Sequence, residues 1–297
     1  MKAAIIDLGS NSFRLLLGTY IDGQWHNESK RLWTTRLGNR DANGYLTEEA
    51  IQKGLDALRD IKEAVQAYGA EKVIGLATSA VREAPNGEEF MKEAVKICPM
   101  EGRILTGEEE AYYGFRGAVG DYLGDEKHYA LIDVGGGSTE LALGDIHEVY
   151  WRRSYPVGAV RLQAIAEEGP QAVWEETRFL WDPMPIAGPF GEYIGIGGTI
   201  TTLAAIHLKL NAYNSMKVQG HRLTREAIEG MVMELRYMTA EERSHVPGLP
   251  AGRADIIVAG AEIVTSFMDA YDIGYLVVSD RDGMEGMQAE LVANRHV

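Results

Sequence analysis

At 297 residues the chain reaches the size, about 250–300 residues, at which single hydrophobic cores stop growing, so two domains are expected. Its 44 acidic against 29 basic side chains give a net charge of −15, which argues against the broad basic surface that nucleic acid or an anionic membrane requires. The single cysteine, Cys98, rules out a disulfide within the chain and fits a reducing cytoplasm. An anionic substrate is compatible with this charge if it is held locally, by backbone N–H groups, a metal ion and a few arginines.

The first residues, MKAAIIDLGS, carry a short apolar run interrupted by Asp7, which reads as a strand and not as a signal peptide. The longest apolar stretches, such as residues 256–264, fall short of the ~20 residues of a membrane helix. After Asp7 come Gly9, Ser10, Asn11 and Ser12, then a second apolar strand, which is a hairpin signal. A turn this sharp leaves several backbone N–H groups pointing the same way, an anion nest. A helix is expected next: Thr47 caps it, Glu48 and Glu49 occupy its first turn, Ile51, Leu55, Leu58, Ile61 and Val65 recur at helical spacing, and Gly69 closes it. Residues 73–80 read as a strand with Arg82 just beyond it. Residues 104–115 start another helix, in which Thr106 and Glu109 form a Thr-x-x-Glu capping box. The stretch 120–127 is the expected boundary, giving domains 1–126 and 127–297.

At residues 129–144 the opening pattern returns, offset by 126 residues (133 minus 7). Ala4, Ile6, Asp7, Gly9, Leu15, Leu17 and Gly18 meet Ala130, Ile132, Asp133, Gly135, Leu141, Leu143 and Gly144. Each copy is an apolar strand, an Asp, a Gly- and Ser-rich turn, and a second strand. A weaker repeat sets residues 73–79, VIGLATS, against 193–199, YIGIGGT. The proline-rich stretch 170–189 is expected to be an irregular connection. Gly197, Gly198 and Thr199 open a helix, and residues 223–236 form another. Strands alternating with helices in both halves indicate two related α/β domains facing each other.

Several residues can carry chemistry. Asp7 and Asp133 each end a strand before a tight turn, where a carboxylate can hold a hydrated Mg²⁺; alternatively each caps its own turn. The repetition of the motif favours a shared site. Glu140, brought back toward Asp133 by the second strand, can ligand the same metal or orient a water, or else alternates outward between Leu141 and Leu143. Arg14 occupies the matching place in the first copy, so one copy presents a cation and the other an anion. Glu109 has a capping role, Glu108 is solvated, and Glu110 is left as a carboxylate kept ionised by a helix N-terminus, the state a general base needs. Arg82, at a strand-to-helix junction, either clamps a phosphate or pairs with Glu83 or Glu88. The Gly-rich turn at Gly197, Gly198 and Thr199 is an anion or nucleotide site candidate. The seven histidines show no metal-ligand spacing, and neither a G-x-S-x-G elbow nor a P-loop is present.

These motifs in this order resemble the exopolyphosphatase and guanosine pentaphosphate phosphohydrolase family, within the superfamily of actin, sugar kinases and the heat-shock chaperone ATPases. The matching segments are AAIIDLGSNSFRLLL, ATSAVREAPNGEEF, ILTGEEEA, LIDVGGGSTELALG, YPVGAVRL, IGIGGTITTLAA and GRADIIVAGAEIV, over nearly the whole chain. The resemblance implies two actin-like (ribonuclease H-like) α/β domains with a cleft between them. It implies Mg²⁺-dependent removal of terminal phosphate from inorganic polyphosphate, or hydrolysis of pppGpp to ppGpp. By position Glu110 matches the catalytic base and Glu140 the second functional glutamate. Ser10, Asn11 and Ser12 match one phosphate loop, and Gly135, Gly136, Gly137 and Ser138 the other. Arg82 matches a phosphate-contacting arginine, and Arg14 and Arg253 match residues facing each other across the cleft. The last helix, 286–297, is expected to pack back on the first domain, and a homodimer is implied. Two departures stand out. The further helical domains of long members are not expected in this chain, and Gly283-Met284 stands where the family usually shows Leu-Arg.

The mechanism these expectations describe is in-line attack of water on a terminal phosphorus. Glu110 takes the proton, and Mg²⁺ is held by Asp7, Asp133 and Glu140 directly or through waters. The turns, with Ser138 and Arg82, position the phosphate chain. Alternatives are the alarmone activity, a small-molecule kinase with its nucleotide near Gly197, and a nucleotide-regulated scaffold.

Overall fold

The computed structural model describes residues 1–121, 127–168, 172–185 and 190–293. It divides into two units, Met1–Glu110 with Met287–Val297, and Ala111–Gly286.

The first unit begins with a β-meander. Strand β1 (Lys2–Leu8) pairs antiparallel with β2 (Ser12–Ile21), and β2 with β3 (Gln24–Thr34). Helix α1 (Glu48–Tyr68) then returns the chain to β4 (Lys72–Ala77), which runs parallel to β1. The short α2 (Ser79–Arg82) and α3 (Gly87–Ile97) lead to β5 (Glu101–Ile104), parallel to β4. The sheet order is β3-β2-β1-β4-β5. Helix α1 follows from its sequence. Thr47 accepts a hydrogen bond from the Ala50 amide, and Gly69 ends the helix at φ 73°, a conformation in which a side chain is penalised. Its inner face buries Leu58, Ile61 and Val65 among Ile6, Leu8, Phe13, Leu15 and Phe90.

Helix α4 (Gly107–Ala118) carries the division between the units. The capping box is formed: the Thr106 amide donates to Glu109 Oε2 at 2.7 Å, and the Glu109 amide donates to Thr106 Oγ1 at 3.1 Å. Beyond Glu110, the residues Ala111, Phe115 and Ala118 pack with Tyr129, Leu131 and Ile196. This packing places the division at Ala111, earlier than the stretch 120–127 where sequence put it; residues 122–126 lie outside the described residues.

The second unit repeats the plan. β6 (Tyr129–Val134), β7 (Thr139–Gly144) and β8 (Val149–Tyr155) form an antiparallel meander. α5 (Gln163–Glu167) and α6 (Ala172–Thr177) lead to β9 (Glu192–Ile196), parallel to β6, and to α7 (Gly197–His207). α8 (Ser215–Val218), β10 (Arg222–Thr224), α9 (Arg225–Arg236), α10 (Ala240–Arg243), α11 (Ile257–Ala270) and β11 (Tyr275–Val278) complete the sheet, in the order β10-β11-β9-β6-β7-β8. α12 (Gly283–Ala293) follows. The core gathers Ile132, Leu141, Leu203, Ile257, Ile263 and Phe267.

Two sequence expectations are corrected. Within 170–189, residues 172–177 are helical, with Val173 and Thr177 buried; residues 170, 171 and 186–189 lie outside the described residues. Leu223 belongs to β10, and the helix starts at Arg225 because Thr224 turns the chain and accepts from the Ala227 amide. Toward the end of the chain, Trp25 Nε1 donates to the Gln288 carbonyl at 2.9 Å, and Gln288 Nε2 donates to Asn27 Oδ1 at 2.8 Å. Residues 294–297 lie outside the described residues.

Replacing Thr47 by Ala is expected to cost about 1 kcal/mol of stability through the lost cap. Replacing Leu58 by Ala is expected to cost about 2–5 kcal/mol through the cavity left in the first core. Urea unfolding of each variant against the parent measures both.

Candidate active site

In the first unit Asp7 lies opposite Arg14 in the β1–β2 register. Arg14 Nε donates to Asp7 Oδ2 at 2.8 Å, and a second guanidinium nitrogen lies 2.7 Å from the same oxygen. The turn that follows is held from two sides. Because β4 runs parallel to β1, it delivers Ser79 beside the turn, where the Ser10 and Ser79 hydroxyls share a buried hydrogen bond of 3.0 Å. From the other side, the Thr35 and Arg36 amides donate to the Asn11 carbonyl and the Gly38 amide to the Ser10 carbonyl. Asn11 Nδ2 donates to Ser12 Oγ at 3.1 Å. Arg82, the last residue of α2, donates to the Leu105 carbonyl at 2.8 Å and forms an ion pair with Glu110. Glu83 lies farther from Arg82, at 3.9 Å. Residues expected separately, as phosphate clamp and as base, are therefore partners.

In the second unit Asp133 and Glu140 are directly opposite in the β6–β7 register, and so share a face of the sheet. Glu140 is 3% exposed, which removes the alternative that it points into solvent, and it accepts a hydrogen bond of 2.7 Å from Ser154 on β8. The turn of Gly135, Gly136, Gly137 and Ser138 is closed by the Gly135 amide donating to the Ser138 carbonyl at 3.0 Å. Gly197, at φ 83°, passes so close to Asp133 that a Cβ there would lie 2.0 Å from Oδ1. Gly198 lies against the Arg253 guanidinium, which a Cβ there would displace. Arg253 donates to the Gly198 carbonyl and, at 2.6 Å, to Thr202 Oγ1. Thr199 is buried at the start of α7.

Among the described residues no three His, Cys, Asp or Glu side chains gather as a metal-binding group. Mg²⁺ does not need such a cage, because it keeps several waters and uses one or two carboxylates plus substrate phosphates. The opposed pair Asp133 and Glu140 fits that requirement. Asp7 fits it less directly, since one of its oxygens already accepts two bonds from Arg14. Cys98 is buried and burial pushes its thiol up, so it offers no ready thiolate nucleophile. No helix among the described residues is long and apolar enough to cross a membrane.

The model of the Ppx/GppA phosphatase family matches residues 28–295. The chain belongs to this family. It is 31% identical over 317 residues to exopolyphosphatase 2 of Mycobacterium tuberculosis, covering 98% of each chain. It is 27% identical to the guanosine-5'-triphosphate,3'-diphosphate pyrophosphatase of Vibrio campbellii, across 97% of this chain and 59% of that one. A solved structure of the Ppx/GppA protein of Aquifex aeolicus superimposes with a TM-score of 0.81 at 29% identity, covering 100% of this chain and 99% of that one. The α/β class and actin-like fold are those of the Ppx/GppA family.

Sequence reasoning missed Ser79, Ser154 and Arg40. Arg40 donates to the Ser79 and Ala80 carbonyls at 3.0 and 3.3 Å and so steadies the short helix that bears Arg82. Only Ser154 left a trace in the sequence, as a polar residue in the strand after Glu140. Ser79 and Arg40 reach their partners through pairings 69 and 39 residues apart in sequence. Met284, next to Gly283 at the start of α12, is buried and serves packing.

A Gly197→Ala variant must both strain the backbone and displace Asp133. A loss of about 1–3 kcal/mol is expected, read by chemical denaturation.

Proposed function

We propose that the protein is an exopolyphosphatase that removes terminal phosphates from inorganic polyphosphate by attack of water. The observation that carries this reading is the end-to-end match with an exopolyphosphatase, 98% of each chain, where the pppGpp-hydrolysing relative is matched over only 59% of its length. The site chemistry agrees with it. Phosphoryl transfer asks mainly for positioning and for charge opposite the phosphate oxygens. Turns 9–12 and 135–138 offer backbone N–H groups, and Arg82 a guanidinium.

Glu110 accepts the proton of the attacking water. The new bond runs from the water oxygen to the terminal phosphorus, and the bond that breaks joins that phosphorus to its bridging oxygen. Orthophosphate and a chain shorter by one phosphate leave. Arg82 keeps Glu110 anionic before substrate arrives and turns to the phosphate afterward. Asp133 and Glu140, the latter fixed by Ser154, are the residues that would hold Mg²⁺, and Asp7 is the matching carboxylate of the first unit. Mg²⁺ when bound neutralises the phosphate oxygens. A cytoplasmic setting suits the buried, single Cys98. A homodimer completes the reading, on family resemblance.

The second reading is hydrolysis of pppGpp to ppGpp, which would place the protein in the stringent response. The match to the Vibrio campbellii enzyme favours it.

Incubation of the pure protein with Mg²⁺ and either long-chain polyphosphate or pppGpp, followed by free phosphate, separates the two. Polyphosphate is expected to be consumed faster; release from pppGpp alone selects the second reading, and release from neither removes both. Glu110→Gln is expected to lower kcat by about 100-fold or more, and a wild-type rate would remove Glu110 from its role. Omitting Mg²⁺ or adding a chelator is expected to abolish phosphate release.

A further inference from the structure

Both turns are tied from behind in the same way, and no motif assigns this job to the segments that do it. In the first unit the chain leaving β3 sends the Thr35 and Arg36 amides to the Asn11 carbonyl, at 3.1 and 2.9 Å, and the Gly38 amide to the Ser10 carbonyl at 2.7 Å. In the second, the chain leaving β8 sends the Val160 and Arg161 amides to the Gly136 carbonyl, at 2.8 and 3.1 Å, and the Ala159 amide to the Gly135 carbonyl at 2.9 Å. Each set is two consecutive amides on one carbonyl plus a third amide on the carbonyl before it. Each segment also has a glycine at the point of contact. A Cβ on Gly38 would lie 3.0 Å from Ser10 Cβ, and one on Gly158 would lie 2.5 Å from the Gly136 carbonyl oxygen.

The consequence follows from the trans peptide, whose C=O and N–H point in opposite directions. Drawing back the Ser10 and Asn11 carbonyls aims the Asn11 and Ser12 N–H groups forward. Drawing back the Gly135 and Gly136 carbonyls does the same for the Gly136 and Gly137 N–H groups. The Asn11, Gly136 and Gly137 amides donate to no other described residue. A peptide free to flip would present its carbonyl oxygen to an anion and repel it. In the first unit the tie is held at a conformational cost, because Arg36 sits at φ 56°, in the left-handed region that a side chain disfavours. Leu37, fully buried in the first core, anchors that residue's neighbour.

We infer that residues 35–38 and 157–161 are positioning segments that lock the peptide planes of the two turns with their N–H groups presented to phosphate. This rests on the proposed reading of the turns as phosphate sites. The residues that decide it are Arg36, through its backbone, and Gly158, through its missing side chain. Neither touches substrate.

The test uses the whole protein, inorganic tripolyphosphate as probe, and the amide signals of Asn11, Ser12, Gly136 and Gly137 in ¹H–¹⁵N spectra, alongside steady-state kinetics. In the parent all four signals shift on titration. Gly158→Ala is expected to abolish the shifts of Gly136 and Gly137 while Asn11 and Ser12 keep theirs. Arg36→Val is expected to do the reverse. Each variant is expected to raise KM roughly ten-fold with kcat changed far less, the pattern of lost ground-state binding. Arg36→Gly, which also lacks the guanidinium but accepts φ 56°, is expected to raise KM less than Arg36→Val. Parent-like KM and shifts in Gly158→Ala and Arg36→Val would overturn the inference and leave the phosphate reading intact. Equal damage from Arg36→Gly and Arg36→Val would also overturn it, by assigning the effect to the guanidinium. If the parent hydrolyses polyphosphate while none of the four amides moves, the reading of the turns as phosphate sites fails and this inference with it.

Discussion

A tight turn between two antiparallel strands cannot satisfy its own backbone. The strands pair with each other up to Leu8 and Phe13 in one unit and up to Val134 and Thr139 in the other, and between them the Asn11, Gly136 and Gly137 amides donate to no described residue. In a buried core such groups would cost free energy. At the end of a sheet they are an asset for an anion. Much of the site's architecture follows from managing this surplus of donors: parallel neighbours β4 and β9 bring Ser79 and Gly197 alongside, and glycines let other chain segments approach.

The same hairpin has been put to unequal use in the two units. The cross-strand partner of the strand-end aspartate is Arg14 in the first and Glu140 in the second. An aspartate opposed by a guanidinium is a neutralised pair; an aspartate opposed by a buried glutamate is a concentration of negative charge that attracts a cation or a proton. The second arrangement is costly on its own. The hydrogen bond from Ser154 stabilises the Glu140 carboxylate in its ionised form.

Where local chemistry decides the structure, the sequence was readable. Helix α1 was legible from Thr47 to Gly69 because cap, acidic first turn, apolar spacing and stop signal all agree. The capping box let Glu109 be set aside from Glu110, and the structure shows that box. The hairpins were legible because the repeat made two ordinary turns informative. What was not legible depends on long-range placement. Arg82 and Glu110 are 28 residues apart, and nothing in either segment announces the other. The place of Leu223 in a strand is decided by its pairing with Leu276, which overrides a helical pattern. The helix at residues 172–177 was hidden by the prolines around it. Its Thr177 hydroxyl reaches Ser266 at 2.7 Å, a contact that holds the segment to the core of its unit.

The seat of Gln288 has a bearing on how the protein is made. Gly18 on β2 has no side chain where one would lie 2.7 Å from Gln288 Nε2, and Trp25 on β3 waits for the Gln288 carbonyl. Both belong to the opening meander, which precedes the second unit in the chain, yet their partner is added only after the whole of that unit. At 5–20 residues per second that interval is on the order of ten seconds or more. Until then Trp25 and Gly18 lack the residue that each meets in the finished sheet. The first unit, which is made of both ends of the sequence, is therefore completed only once the second has been synthesised.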